Sequence, residues 1–135
     1  MADESIFRGR RLAIVGSICR DIRIAPLPPG PHLLCDGETP TPGIVETVGG
    51  GGANSALAGA ALGAEVRFAG KVGDDLLGTR LEQALVDRGV RTFIRREAHL
   101  ASGSSVVLSY DSGSRHFISC QPNNYTLSMD DVDLA

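Results

Sequence analysis

Apolar and polar positions change period several times along this chain, and each change marks an element. Arg11–Ile18 is a near-continuous apolar run that ends in small residues. A strand buried on both faces reads this way, and such strands belong to parallel sheets flanked by helices. From Ala53 to Leu62 the period becomes helical, with Ala53, Leu57, Ala60 and Ala61 on the apolar positions. Gly63 then suits a left-handed C-cap. Glu65–Val72 is the next strand, Gly73-Asp74-Asp75 a turn, and Asp75–Arg88 a second helix. In that helix Leu77, Leu81 and Leu85 recur at i+4 and Leu76 widens the stripe; Gly89 ends it. Arg91–Arg96 is a short strand with charged flanks. Ser104–Tyr110 and Arg115–Cys120, joined by Asp111-Ser112-Gly113-Ser114, read as a hairpin. Their many serines give that hairpin a face that is wet or turned to a ligand. Asn123-Asn124 is a turn, and Ser128–Asp131 resembles a helix cap just before the end at Ala135. Strands alternating with helices imply an α/β fold, a parallel sheet with helices on both faces.

Two stretches depart from that alternation. Between Ile22 and Val48 six prolines (Pro26, Pro28, Pro29, Pro31, Pro40 and Pro42) interrupt the chain. Ile22–Ala25 could continue as a strand and Gly43–Val48 regains β character, but proline removes ladder donors, so this excursion is expected to be loop with at most short edge strands. Such excursions cover active sites. The second stretch is Gly49-Gly50-Gly51-Gly52. It leads straight into an amphipathic helix, unlike a flexible linker, which leads into polar filler. Glycines at a helix N-terminus let a ligand approach the main chain, where free N–H groups and the positive dipole end favour oxygen-rich groups. Asn54 adds a donor and an acceptor in the first turn. A polyol or anion is the expected ligand. Asp21, just past the first strand, is placed to accept hydrogen bonds from hydroxyls, the plainer reading being a turn carboxylate.

Composition narrows the partners. The 135 residues suit one domain, with 42% apolar and 21% charged positions as in ordinary globular proteins. Net charge is −3 and aromatics make up 4% with no Trp, which argues against nucleic acid. The basic clusters Arg8, Arg10, Arg11 and Arg91, Arg95, Arg96 read as solvated surface. Cys19, Cys35 and Cys120 are odd in number and widely spaced, so neither a zinc site nor a disulfide framework is expected and a reducing cytoplasm fits. His32, His99 and His116 are scattered and read as surface or packing residues. No signal peptide or membrane span is expected.

These residues carry a resemblance. The chain resembles the N-terminal half of a ribokinase-like (PfkB-family) carbohydrate kinase, over Arg11 to Ala135. The signature positions are Gly50, Gly51, Gly52, Ala53, Asn54, Ser55 and Ala56, then Gly63 and Gly73. Ile14–Ile18 with Asp21 resembles the opening strand, and Gly73-Asp74-Asp75-Leu76-Leu77-Gly78 the Gly-Asp-Asp-x-x-Gly turn. Ser102-Gly103, the hairpin, Asn124 and Leu127-Ser128 continue it.

The resemblance implies a ribokinase-like parallel sheet with a small β-lid, one domain over 1–135, lid segments about 22–48 and 104–120. It implies ATP-dependent phosphorylation of a sugar or sugar-like hydroxyl. Asp21 and Asn54 are then sugar contacts, and Gly49-Gly50 a hinge for the lid. Gly51 stands where ribokinases carry lysine and Cys19 where they carry a sugar-reading asparagine, which favours another sugar, a sugar acid or a nucleoside over ribose. A homodimer through the β-lid is implied as well.

One family motif is missing. Gly-Ala-Gly-Asp, whose Asp is the family's catalytic base, does not occur in the 135 residues. No catalytic residue is therefore assigned, and the ATP and Mg2+ of the complete enzyme are expected to have no site in this chain. Asp74 and Asp75 read as capping residues. Gly70-Lys71 is no P-loop, because Val72 stands where a magnesium-binding hydroxyl is needed. The chain is expected to be a kinase fragment, inactive alone and marginally stable. The alternative is a non-catalytic sugar-binding or oligomerisation module. A dinucleotide-binding domain fits poorly, because the glycines do not follow the first buried strand.

Overall fold

Two sheets share the chain in the computed structural model, which describes residues 7–133. The element order is β1 (Arg11–Val15), β2 (Cys19–Leu27), a 3-10 turn at Pro31–Leu34, β3 (Ile44–Gly49), α1 (Gly51–Ala61), β4 (Glu65–Gly73), α2 (Leu76–Val86), β5 (Arg91–Glu97), β6 (Ser104–Tyr110), β7 (Arg115–Cys120), α3 (Pro122–Tyr125) and a 3-10 turn at Met129–Asp131. The expected frayed start falls partly outside the described residues, as does Ala135.

The main sheet is parallel, in the order β1-β4-β5. Both crossovers step the same way along the sheet, and right-handed connections then place α1 and α2 on one face. The core lies between them. Phe68, Val72 and Val66 of β4 meet Ala53 and Ala56 of α1 and Leu81 and Leu85 of α2. Each such large side chain contributes about 1.5–3 kcal/mol. Small residues in α1 allow the close approach: a Cβ on Gly59 would sit 3.0 Å from Leu12.

Strand β1 is thus not buried on both faces, as its apolar run suggested. Leu12 and Ile14 face the core, whereas Arg11, Ala13 and Val15 are exposed, Val15 by 45%. On that second face, among the described residues, the end of β4 is the part most covered. There Ala69 and Lys71 are buried under the segment that begins with α3. Leu76 is likewise corrected: it is 65% exposed, while Leu77, Leu81 and Leu85 pack as expected.

The second sheet has the order β3-β2-β6-β7. Here the proline argument fails in part. Strand β2 runs nine residues and lies in the middle of the sheet, antiparallel to β3 and parallel to β6. Pro26 sits inside it, where the register with β6 shifts between Ile24 and Leu27. A missing donor is tolerated at such an irregularity. The sheet therefore begins at Cys19, not at 22, and Asp21 belongs to it and not to the end of β1. The hairpin has the bounds expected from sequence, with Gly113 at φ 86° in its turn. Asn123-Asn124 lies in the short helix α3, not in an open turn.

Candidate functional site

The β2 pleat sends Cys19, Asp21 and Arg23 to one side of the second sheet. Their cross-strand partners Thr47, Ser105, Val107 and, beyond them, Phe117 and Ser119 share that side. The start of α1 faces it. Between the two lies a cleft of about 470 Å³, whose floor includes Ser17, Gly50, Gly51 and Asn54.

Glycine is required at three of these backbone positions for three separate reasons. A Cβ on Gly49 would run into the Asp21 carboxylate. Gly50 has φ 95°, and a Cβ there would also lie 2.6 Å from the Ser17 carbonyl oxygen. A Cβ on Gly52 would lie 2.7 Å from the Gly16 backbone. Gly51 is different, since open space surrounds its missing side chain on the cleft side. No side chain caps α1; the Ala53 N–H donates to the Ser17 carbonyl at 3.0 Å, and Gly51 at the helix start lines the cleft floor.

Five of the six residues singled out from sequence therefore line one cleft: Cys19, Asp21, Gly50, Gly51 and Asn54. Gly49 does not line it but lies behind the Asp21 carboxylate. Cys19 is 1% exposed, and its Sγ–H donates to Asp21 Oδ1 at 3.5 Å. Burial, with the Asp21 charge adding to it, pushes the Cys19 thiol up to about 12. It stays neutral and holds one Asp21 oxygen, leaving the rest of the carboxylate to a ligand.

The opposite wall was foreseen only as a serine-rich face. Ser105 and Ser119 hydroxyls lie 2.9 Å apart, and Gln121 Nε2 donates to Ser105 at 2.7 Å. Gln121 Oε1 accepts from Asn124 Nδ2 at 2.8 Å, and Asn124 Oδ1 from the Ile18 N–H at 3.1 Å. Buried Asn123 donates to the Ile18 and Lys71 carbonyl oxygens. A polar chain thus ties the cleft wall to the base of β2 and to β4. Arg23 and Arg115, which sequence reasoning passed over, complete the outer cleft. Alternation along β2 and β7 was the signal that would have found them.

Lys71 and Asp75 are structural, whereas Asp74, expected to cap as well, is exposed and only Asp75 caps the helix. Lys71 Nζ donates to the Thr126 carbonyl at 2.9 Å and pairs with Asp131 at 2.8 Å. Asp75 caps α2, accepting from Gly78 N–H at 2.7 Å and from the Ser102 N–H and hydroxyl at 2.9 and 2.7 Å. Burial raises the Asp75 pKa, but the Ser102 and Gly78 hydrogen bonds and the Arg96 charge outweigh it and hold the carboxyl below its ordinary value. Arg96, read as solvated surface, instead pairs with Glu82.

The family model for "pfkB family carbohydrate kinase" matches residues 10–134. The chain belongs to this family. The Bacillus subtilis (strain 168) protein "Ribokinase" is 38% identical over 101 residues, which cover 73% of this chain and 33% of that protein. The "Bifunctional protein HldE" of Gluconobacter oxydans (strain 621H) is 37% identical over 86 residues, 58% of this chain and 16% of that protein. Among solved structures, a ribokinase from Cryptococcus neoformans var. grubii in complex with ADP superposes with a TM-score of 0.68 at 28% identity, covering 95% of this chain and 38% of that one. A fructokinase from Xylella fastidiosa with bound ATP superposes at 0.70 and 24% identity, covering 92% and 37%; at that identity it shows the fold alone. This pfkB chain spans about a third of the ribokinase's length. The architecture is thus a part of the ribokinase-like fold. Among the described residues no helix is long and apolar enough to cross a membrane.

Proposed function

We propose that this chain supplies the acceptor-sugar site and the lid of an ATP-dependent sugar kinase. The observation that carries the reading is convergence. Cys19 and Asp21 from β2, Gly50 and Gly51 before α1, and Asn54 within it meet at one cleft although separate elements bring them. Asp21 accepts hydrogen bonds from sugar hydroxyls, Asn54 donates and accepts, and the α1 N–H groups stabilise oxygen-rich or anionic atoms. The second sheet is the lid. Its closure over the sugar excludes water and fixes the hydroxyl for in-line attack.

The base that takes the hydroxyl proton lies outside these 135 residues, as does the nucleotide site with its magnesium. Lys71, the lysine of Gly70-Lys71, is engaged by Thr126 and Asp131. The whole chain 1–135 is one part of a kinase domain, with lid segments 19–49 and 104–120. The lid face away from the cleft carries Ile22, Ile24, Ile44, Val106, Leu108 and Ile118, and we assign it to a homodimer contact. A cytoplasmic location accords with the exposed free thiols Cys35 and Cys120.

The test pairs sugar-dependent thermal stabilisation with a phosphotransfer assay. A neutral or anionic sugar should raise the melting temperature of the wild-type chain and not of Asp21→Ala. Phosphorylation of any sugar by this chain alone would overturn the assignment of the base elsewhere. The alternative, a non-catalytic binding module, is favoured if the longest natural form of the protein also binds sugar without transfer.

A further inference from the structure

We propose that the cleft takes an anionic sugar, one carrying a carboxylate or a phosphomonoester. The hydroxyl end lies at Asp21 and Asn54, and the anionic end lies between Arg23 and Arg115. The inference rests on the sugar-site reading of the same cleft and narrows its substrate class.

Register places both arginines on the cleft side. Arg23 stands opposite Val107, Val107 opposite Phe117, and Arg115 opposite Ser109. Two strand spacings separate β2 from β7, about 10 Å, with an offset of two residues, about 7 Å, along the strands. Arginine side chains are long enough to converge on one anion from those positions, and both line the cleft.

Neither guanidinium has a carboxylate partner among the described residues. Arg115 lies over the Phe117 ring at 5.6 Å, which orients it without neutralising it. Arg23 shares its face with Asp21, yet the two form no ion pair; Asp21 is held by Cys19 instead. The lid's ion pair, Arg20 with Glu46 at 3.7 Å, is on the opposite face. The cleft is therefore polarised, with an acceptor end at Asp21 and a cationic end two residues further along β2.

Ser109 sits across from Arg115, and its hydroxyl is buried with no hydrogen-bond partner among the described residues. Turned outward, it adds a third donor at the cationic end. The uncapped start of α1 contributes positive potential from the floor. A neutral polyol uses none of this. A planar carboxylate or a phosphomonoester matches the arginine fork and its charge.

Calorimetric titration of the chain would use matched probes: glucose with gluconate and glucose 6-phosphate, fructose with fructose 6-phosphate, ribose with ribose 5-phosphate. At least one anionic member should bind about tenfold or more tightly than its neutral parent, the ratio expected for one charge-assisted contact. That preference should shrink as salt is added. Arg23→Gln and Arg115→Gln, both at exposed positions, should each remove most of it. Preference for gluconate identifies a sugar acid, and preference for the phosphates identifies a phosphosugar. Equal binding within each set, unaltered in either variant, would overturn the inference and leave the sugar site standing. Failure of every probe to bind, or binding indifferent to Asp21→Ala, would overturn both readings together.

Discussion

Asp21 is the residue on which the cleft chemistry turns. Asp21→Asn keeps the shape but loses the charge that accepts from two hydroxyls at once. Its sugar affinity should fall about tenfold or more with little change in melting temperature, read by calorimetry beside a thermal melt. Cys19 makes a separate prediction. Its thiol is raised from 9.0 to about 12, so the folded chain keeps the proton over a range where the unfolded chain releases it. The stability this contributes is whole below pH 9 and is lost as pH rises towards about 12. Cys19→Ala should flatten that alkaline decline in chemical denaturation. In the native protein, a thiol reagent near neutral pH should modify exposed Cys35 and Cys120 and spare Cys19, as mass spectrometry would show. Gly50→Ala combines φ 95° with a contact at the Ser17 carbonyl, and should cost about 1–3 kcal/mol by equilibrium unfolding.

At the scale of elements, α2 owes its start to Asp75. Asp75→Ala should cost about 1–2 kcal/mol, because it removes the cap and leaves the Ser102 donors without their partner. Since the folded carboxyl titrates below its ordinary 3.8, its contribution is full above that value. It fades as the pH drops through the lower folded pKa, and Asp75→Asn should lack this acid dependence. The same elements show what sequence discloses. Helices α1 and α2 and the β6–β7 hairpin were legible from periodicity and turn glycines, because local preferences and tertiary packing agree there. Strand β2 was legible only in part. Ile22–Ala25 reads as a possible strand, but Pro26 argues for an edge position, and only pairing with β6, a partner remote in sequence, makes the stretch a central strand. The same hidden pairing concealed Arg23, and it concealed Arg115 because the hairpin, though read correctly, shows which of its faces meets the cleft only once β2 is beside it. The glycine floor was legible because only glycine satisfies its close contacts, and Asp21 because of the family resemblance.

For the whole molecule, the exposed second face of the main sheet decides behaviour in solution. Ala13 and Val15 lie open on β1, which among the described residues pairs only with β4. Apolar surface beside an unpaired edge promotes association. The chain should sediment as more than a monomer, and Val15→Glu should reduce that association without altering sugar binding. A wild-type chain that remains monomeric at high concentration would count against the prediction.

The parallel pairing of β2 with β6 also fixes a sequence of events. Arg20 has no partner on that side until Ser104 has been made, and Ser105 none until Ser119 follows. Contacts closed across so long a loop form late and slowly. During synthesis, α1 and α2 can gather on β4 while β2 still lacks its neighbour. The cleft comes into being only when residue 120 has left the ribosome. A sugar added to nascent chains should therefore protect those that extend past the hairpin, and no shorter ones.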